Sequence, residues 1–249
     1  MKIFETFEDD HKFYIVVEFM EGDSLLAYIS KQAQSVFTEK LVAGIIKQLL
    51  TGLNHCHSHG IGHRDIKPDN IMFADKENKT IKLVDFGFAK MFDPAESKYQ
   101  ELLGSPLYMA PEICQKKPYD LKCDIWSCGI ICYILLTGEI PYLIEEGSSL
   151  PSLFEQIKKK SFSMADFEGG SWAGISVEAK HFVLAMLEKE PEKRASASQM
   201  LTMPWLIMAK DTQDKTAENQ KCLSNLVKNC VRTYKEKGYR ESKDSSMRS

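Results

Sequence analysis

Apolar residues in this chain recur with two different periods. Near the N-terminus they form short β-like runs. Ile3, Phe4 and Phe7 come first, and after an acidic turn at Glu8-Asp9-Asp10 comes Phe13-Tyr14-Ile15-Val16-Val17-Glu18-Phe19. β-Branched and aromatic residues bounded by turn formers predict two strands, over 3–7 and 12–19. Gly22 breaks the run, and Leu25, Leu26 and Ile29 predict a short helix. Beyond Thr38, a hydroxyl suited to an N-cap, Leu41, Ile45, Leu49, Leu53 and Cys56 recur at spacings of three and four. That is the period of an amphipathic helix, and Gly60 ends it. Ile71-Met72-Phe73 and Thr80-Ile81-Lys82-Leu83-Val84 predict a β-pair around a turn at 76–79, whereas residues 88–103 read as loop. Ala110-Pro111-Glu112 then precedes another helix. From Leu121 to Leu136 the chain is apolar on every side, with Asp124 and Trp126 inside the run, as in a buried central helix. Thr137-Gly138 stops it. Further helices are predicted over 148–160, with Leu153, Ile157 and Phe154 inward, over 177–187, and over 198–206, closed by Pro204-Trp205.

Composition narrows the classes. A chain of 249 residues with 43% hydrophobic and 27% charged residues is ordinary for a globular protein. Its net charge of −3 gives no reason to expect nucleic acid or an anionic membrane as partner. The charge is unevenly spread. Residues 206–249 carry ten Lys/Arg against six Asp/Glu, a tail of +4 on a body of −7. Seven cysteines without Cys-x-x-Cys spacing predict no disulfide framework, and Cys123, Cys128 and Cys132 read as small core residues. The N-terminus has no signal-peptide h-region, and the most apolar segment, Ile125 to Leu136, is about half the length of a membrane span. A reducing, cytoplasmic setting is the expectation. His55, His57 and His59 put only the outer pair on one helical face, so they predict structural or solvent-exposed roles rather than a metal site.

The chemistry is concentrated in His63-Arg64-Asp65-Ile66-Lys67-Pro68-Asp69-Asn70 and, fifteen residues later, Asp85-Phe86-Gly87. A carboxylate, a lysine two residues on, an amide three beyond it and a second carboxylate after a β-like run are what phosphoryl transfer to a hydroxyl needs. One carboxylate meets the acceptor, a cation neutralises transferred charge, and two oxygen ligands hold Mg²⁺.

With these motifs stand Asp-Phe-Gly-Phe-Ala-Lys at 85–90, Gly-Ser-Pro-Leu-Tyr-Met-Ala-Pro-Glu at 104–112 and Cys-Asp-Ile-Trp-Ser-Cys-Gly at 123–129. Pro-Glu-Lys-Arg at 191–194 and Met-Pro-Trp at 203–205 complete the set. In this order they resemble a serine/threonine protein kinase of the calcium/calmodulin-dependent group, most like the calcium-dependent protein kinases. The resemblance implies an α+β fold with a mainly helical large lobe and only two strands of the small lobe. Residues 1–20 would be a small-lobe remnant with hinge, 21–206 the large lobe, and 207–249 a C-terminal tail. It implies ATP and Mg²⁺ as cofactors and protein Ser/Thr hydroxyls as acceptors. By the same resemblance Asp65 orients or accepts the hydroxyl proton and Lys67 meets the γ-phosphate. Asn70 and Asp85 ligate Mg²⁺, Glu18 and Met20 offer backbone groups to adenine, Val17 backs that pocket, and Met72 forms its floor. His63, Phe86 and Ile3 match a hydrophobic spine, Glu112 and Arg194 a buried ion pair, and Asp124 the carboxylate that holds the catalytic loop. Glu101 takes the place of a phosphorylatable threonine and is expected to pair with Arg64.

The resemblance also has gaps. Residues 1–249 contain no Gly-x-Gly-x-x-Gly and no Val-Ala-x-Lys, the sequence starting in what would be the small lobe's fourth strand. Little ATP-dependent stabilisation is therefore expected of this chain alone. Ser24 stands where the family has an acidic residue, Asp69 keeps one candidate for a basic substrate, and 143–151 is an unusual insertion. No Asp-x-Asp-x-Asp-Gly loop gives calcium a seat. In the tail, Leu223, Leu226, Val227, Cys230, Val231 and Tyr234 form an apolar stripe with Lys221, Lys228, Arg232, Lys235 and Lys237 around it. Such a basic amphipathic stretch suits a calmodulin-like partner or an intramolecular contact. Two functional readings follow: a Ser/Thr kinase catalytic region, or a noncatalytic large-lobe remnant acting at most as a binding module.

Overall fold

A computed structural model describes residues 1–31, 37–92, 99–143 and 149–208. Two antiparallel strands, β1 (Ile3–Glu8) and β2 (Phe13–Val17), open the chain, with a bulge between Ile3 and Glu5. Asp9 closes their turn by accepting from the backbone N–H groups of His11 and Lys12, each at 2.8 Å. Every residue of both strands is exposed, so this hairpin is held by its ladder rather than by a core.

The remainder is a helical body. Ser24 caps the short helix α1 (Leu25–Lys31) by accepting from Ala27 N–H at 3.1 Å. Thr38 caps the long α2 (Glu39–Ser58) through Leu41 N–H, as its position in the sequence predicts. The buried face of α2 is wider than the predicted stripe: Val42, Ala43, Ile46 and Leu50 are buried with Ile45, Leu49 and Leu53, while Leu41 is turned out. The reason is tertiary, because α2 packs at once against α4 (Cys123–Thr137), a later helix pair and a strand, so more than one stripe is covered. In α4 every residue except Tyr133 is buried, and Gly138 ends it in the left-handed region at φ 73°. Gly129 within it is required by contact. A Cβ there would lie 2.7 Å from Leu187 Cδ2 and 2.9 Å from Met186 Cβ, at the close approach of α6 (Val177–Met186).

Two short strand pairs punctuate this body. β3 (Ile61–Gly62) pairs with β6 (Lys90–Met91), and β4 (Ile71–Phe73) with β5 (Ile81–Leu83). The β4–β5 pair fulfils its prediction. The expectation of a plain loop over 88–103 is corrected, since β6 lies within it and Tyr99 makes a reciprocal bridge with Tyr119 at 2.9 Å in both directions. Two-residue strands paired across about thirty positions leave no local period to read.

Pro111 and Glu112 lie inside the first turn of α3 (Pro111–Cys114) rather than before it, proline being well suited to a first helical position. In α5 (Leu150–Lys159) Leu153 and Ile157 are buried and Phe154 is partly covered, as predicted. The single helix expected at 198–206 is two, α7 (Ala197–Leu201) and α8 (Pro204–Met208). Pro204 therefore opens a helix instead of closing one, for the same reason. The tail stripe at 221–237 and part of the 143–151 insertion lie outside the described residues. Among those described, no helix is long and apolar enough to cross a membrane.

Candidate active site

The loop between β3 and β4 carries the octapeptide, and α4 supplies its anchor. Asp124, 1% exposed, accepts from the backbone N–H of His63 at 2.9 Å and of Arg64 at 2.8 Å, and meets His57 Nε2 at 2.9 Å. Burial opposes its charge, yet the His57 hydrogen bond and the charges of His57 and His63 hold the Asp124 carboxyl below its ordinary range. A carboxylate gripping two consecutive backbone donors fixes the peptide that follows, which includes Arg64 at φ 66°. A left-handed, non-glycine conformation persists only where neighbours over-determine it. Here the neighbours are Asp124 on the backbone and, on the guanidinium, Phe88 C=O at 2.7 Å, Tyr119 Oη at 3.3 Å and the Tyr99 ring at 4.9 Å.

This turn delivers Asp65, 5% exposed, into a set of donors. Its Oδ1 accepts from Ser105 N–H at 3.0 Å and Ser105 Oγ–H at 2.8 Å. Its Oδ2 accepts from Asn70 Nδ2 at 3.1 Å and faces Lys67 Nζ at 2.9 Å. The predicted trio Asp65, Lys67 and Asn70 is thus one cluster. Asn70 spends its amide N–H groups on the Asp65 backbone and side chain, which leaves its Oδ1 as the outward acceptor. Val84 N–H donates to Asn70 C=O at 3.0 Å, so the end of β5 is tied to the loop just before Asp85. Asp85 has φ 58°, is exposed, and accepts from Gly87 N–H at 3.2 Å. His63 Nε2 meets Val84 C=O at 3.1 Å, and its ring lies 4.8 Å from Phe86, two of the expected spine positions in contact. Ile3, the third, is 57% exposed on the hairpin and is not buried against them.

Glu101 reaches Arg64, as expected, at 3.1 Å, and also Lys90 Nζ at 2.8 Å. The Lys90 hydrogen bond first, and the Arg64 and Lys90 charges after it, outweigh partial burial and hold its carboxyl down at about 2. Because the folded value lies below the ordinary 4.5, the stability it contributes is complete above pH 4.5 and disappears as pH falls through about 2. Glu101→Gln is therefore expected to lower the melting temperature at pH 7, and the gap from wild type should close toward pH 2. With 41% of this side chain exposed the loss stays below about 1 kcal/mol. A pH-independent gap in calorimetric scans would contradict the pairing.

The segment after β2 is stitched to the β4–β5 hairpin. Lys82 Nζ lies 2.5 Å from Glu18 Oε2, Glu21 N–H donates to Ala74 C=O, and Gly22 N–H to Phe73 C=O. Met20 is buried, Val17 is 37% exposed at the end of β2, and Met72 stands partly covered in the middle of β4. Glu112 and Arg194 form the expected buried pair, with two hydrogen bonds of 2.7 and 3.0 Å.

Several contributors carry no signal strong enough to single out from the sequence. Ser105 lies forty positions from Asp65, inside a motif whose proline and glycine dominate the reading. His57 sits between two histidines whose rings lie 4.6 Å apart and tilted at 52°, and only the fold shows that it turns into Asp124. Lys90, Tyr99 and Tyr119 around Arg64 are likewise assembled by the β6 and Tyr99–Tyr119 pairings.

With this geometry in place, comparison with known proteins is direct. The protein kinase domain family matches residues 1–206. Calcium-dependent protein kinase 13 of Arabidopsis thaliana is 40% identical over 207 residues, 83% of this chain and 37% of that protein. Calcium-dependent protein kinase 8 of the same plant matches to the same extent, and calcium-dependent protein kinase 20 of Oryza sativa subsp. japonica is 37% identical over 203 residues, 81% of this chain and 35% of that protein. The chain spans less than two fifths of the length of these relatives.

Proposed function

This chain belongs to the protein kinase family, within its serine/threonine members, and from that membership we propose that it transfers the γ-phosphate of ATP to protein Ser/Thr hydroxyls. The observation that carries the proposal is the Asp65 cluster: one buried carboxylate met by Lys67, Asn70 and Ser105 within 3.1 Å. Asp65 orients the acceptor hydroxyl and receives its proton. Oδ1 is held in place by Ser105 until the acceptor arrives, and Oδ2 is held by Lys67. Lys67, pinned beside it, balances charge on the transferred group.

Asn70 Oδ1 and the Asp85 carboxylate are hard oxygen donors on two segments joined by the Val84–Asn70 hydrogen bond. Such a pair suits Mg²⁺, which takes one or two protein ligands and keeps several waters, and when bound the ion screens phosphate charge. Met20 offers backbone groups with no hydrogen-bond partner among the described residues; with Glu18 it would meet the adenine, Val17 would back that pocket and Met72 would form its floor. These residues receive the base. Asp69, partly covered, offers a carboxylate to a basic substrate.

A specific observation favours the second reading, a noncatalytic binding module: Asp85, Phe86 and both faces of the β1–β2 hairpin are open to solvent. One experiment separates the two. Residues 1–249, γ-labelled ATP, Mg²⁺ and a basic serine peptide are expected to give slow labelling of the peptide, slower than the usual 1–100 s⁻¹ scale of kinases. Asp85→Asn should remove it together with its Mg²⁺ dependence. No labelling by a chain that circular dichroism shows folded overturns the catalytic reading.

A further inference from the structure

Lys82 takes no part in the roles assigned above, and its position is unusual for a surface lysine. It is the direct cross-strand partner of Met72 in the β4–β5 pair. Opposed residues of an antiparallel pair project from the same face. The neighbours of Met72 on its own strand, Ile71 and Phe73, are buried at 0% and 2% exposure on the opposite face, and Leu83 approaches Gly52 of α2 there. Met72 and Lys82 therefore share the side turned away from the helical core. The lysine's four-carbon stem extends the apolar surface beside Met72, while its ammonium leaves that surface for a charge partner.

The partner is Glu18, 64 residues away in sequence and 2.5 Å away in space. The same carboxylate accepts from Lys2 N–H at 2.7 Å, so it is anchored to the residue that precedes β1 as well. Its carboxyl is held below the ordinary range, first by the Lys82 hydrogen bond. Four residues on, the chain is fastened a second time to the same hairpin. Gly22 N–H donates to Phe73 C=O at 3.1 Å, and Phe73 N–H to Asp23 C=O at 2.9 Å. Between the two fastenings lie Phe19 and Met20, whose backbone groups form no hydrogen bond among the described residues. An unpaired strip of backbone is thus fixed at both ends to the hairpin, and three residues beyond Lys82, just past the end of β5, the chain delivers Asp85.

We infer that Lys82 is a positioning residue that couples the base-binding strip at 18–20 to the metal-binding segment that leaves β5 and ends at Asp85, so that base and metal–phosphate group are seated together. The inference rests on the nucleotide reading proposed above. With the tie made, a base seated on Met72 and against Met20 sets the distance from which its phosphates reach Asp85. With the tie cut, the strip at 18–20 is held at its far end only, and base binding no longer prepays the placement of the phosphates. By linkage the coupling is reciprocal: Mg²⁺ and base each strengthen the other's binding by the same factor.

Titration calorimetry on the full chain, with adenosine and with ATP, each with and without Mg²⁺, tests this. The quantity read is the factor by which Mg²⁺ raises ATP affinity. Lys82→Met is expected to cut that factor roughly fivefold, the scale of a partly exposed ion pair, and to leave adenosine affinity nearly unchanged. Lys82→Arg should restore most of it. Glu18→Gln should reproduce the loss, and the double variant should add nothing, since both act on one contact. An equal loss for adenosine and Mg²⁺–ATP would mark Lys82 as structural only and overturn the inference, and so would an unchanged Mg²⁺ factor in Lys82→Met. A wild type that binds neither ligand overturns the nucleotide reading and this inference with it, so the two failures are distinguishable.

Discussion

Arg194→Met is expected to cost the fold about 3–5 kcal/mol. Arg194 is 1% exposed, its side chain wholly enclosed, and it meets the Glu112 carboxylate, 4% exposed, in a two-pronged contact of 2.7 and 3.0 Å. The remaining guanidinium donors serve Glu188 C=O at 2.8 Å, Lys122 C=O at 3.0 Å and Lys189 C=O at 3.4 Å, and the group lies 5.2 Å from the Trp126 ring. Met fills much of the volume, but it leaves a buried carboxylate with no counter-charge and takes away the donors that Arg194 gives to the Glu188 and Lys189 carbonyls. The expense is that of stranded polar groups, not of the pair's own attraction. A double replacement, Arg194→Met with Glu112→Leu, should therefore recover much of the loss, because no buried charge is left behind. Urea unfolding of the two variants checks both numbers. A loss near 1 kcal/mol for the single variant would mean that water reaches Glu112 and that the pair is not closed.

The second large effect is on rate. Asp65→Asn is expected to lower phosphoryl transfer by about 10²–10⁴-fold, the usual contribution of a positioned acid–base group. Its shape is nearly that of the native side chain, but the hydrogen-bond inventory no longer matches. Every polar neighbour of this carboxylate is a donor: Ser105 N–H and Oγ–H on one oxygen, Asn70 Nδ2 and Lys67 Nζ on the other. An amide has one acceptor oxygen, so its NH₂ must face either Ser105 or the Lys67–Asn70 pair. The charge that holds Lys67 is lost at the same time. Transfer to a serine peptide measures the rate, and near-ultraviolet circular dichroism shows whether packing survives. Transfer at the wild-type rate in a folded variant would remove Asp65 from the proposed chemistry.

What the residues announce about this protein and what they conceal divide along a physical line. Local periods and caps are legible. The Thr38 hydroxyl, the spacing of Leu49 and Leu53, and the all-round apolar run at α4 each specify structure within a few turns of chain, so α2 and α4 follow from them. The octapeptide at 63–70 is legible for a similar reason, since Asp65, Lys67 and Asn70 are close in sequence and a single turn can bring them together. Pairings across the chain are not legible. β6 has two residues, Tyr99 meets Tyr119 through one bridge, and Pro204 is read as a stop or a start according to whether a helix follows.

The sequence by itself therefore determined the chemical equipment, the functional groups of Asp65, Lys67, Asn70 and Asp85 in a mainly helical α+β chain, because those groups are carried by the residues themselves. Only the tertiary structure decided how the equipment is held. It turned His57 rather than its neighbours toward Asp124, set Ser105 on Asp65, surrounded Arg64 with Tyr99, Tyr119 and Glu101, and reached from Lys82 to Glu18. Each of these contacts joins segments tens of residues apart, and no local preference encodes it. It exists because burying α4 and closing the short strand pairs brings those segments together.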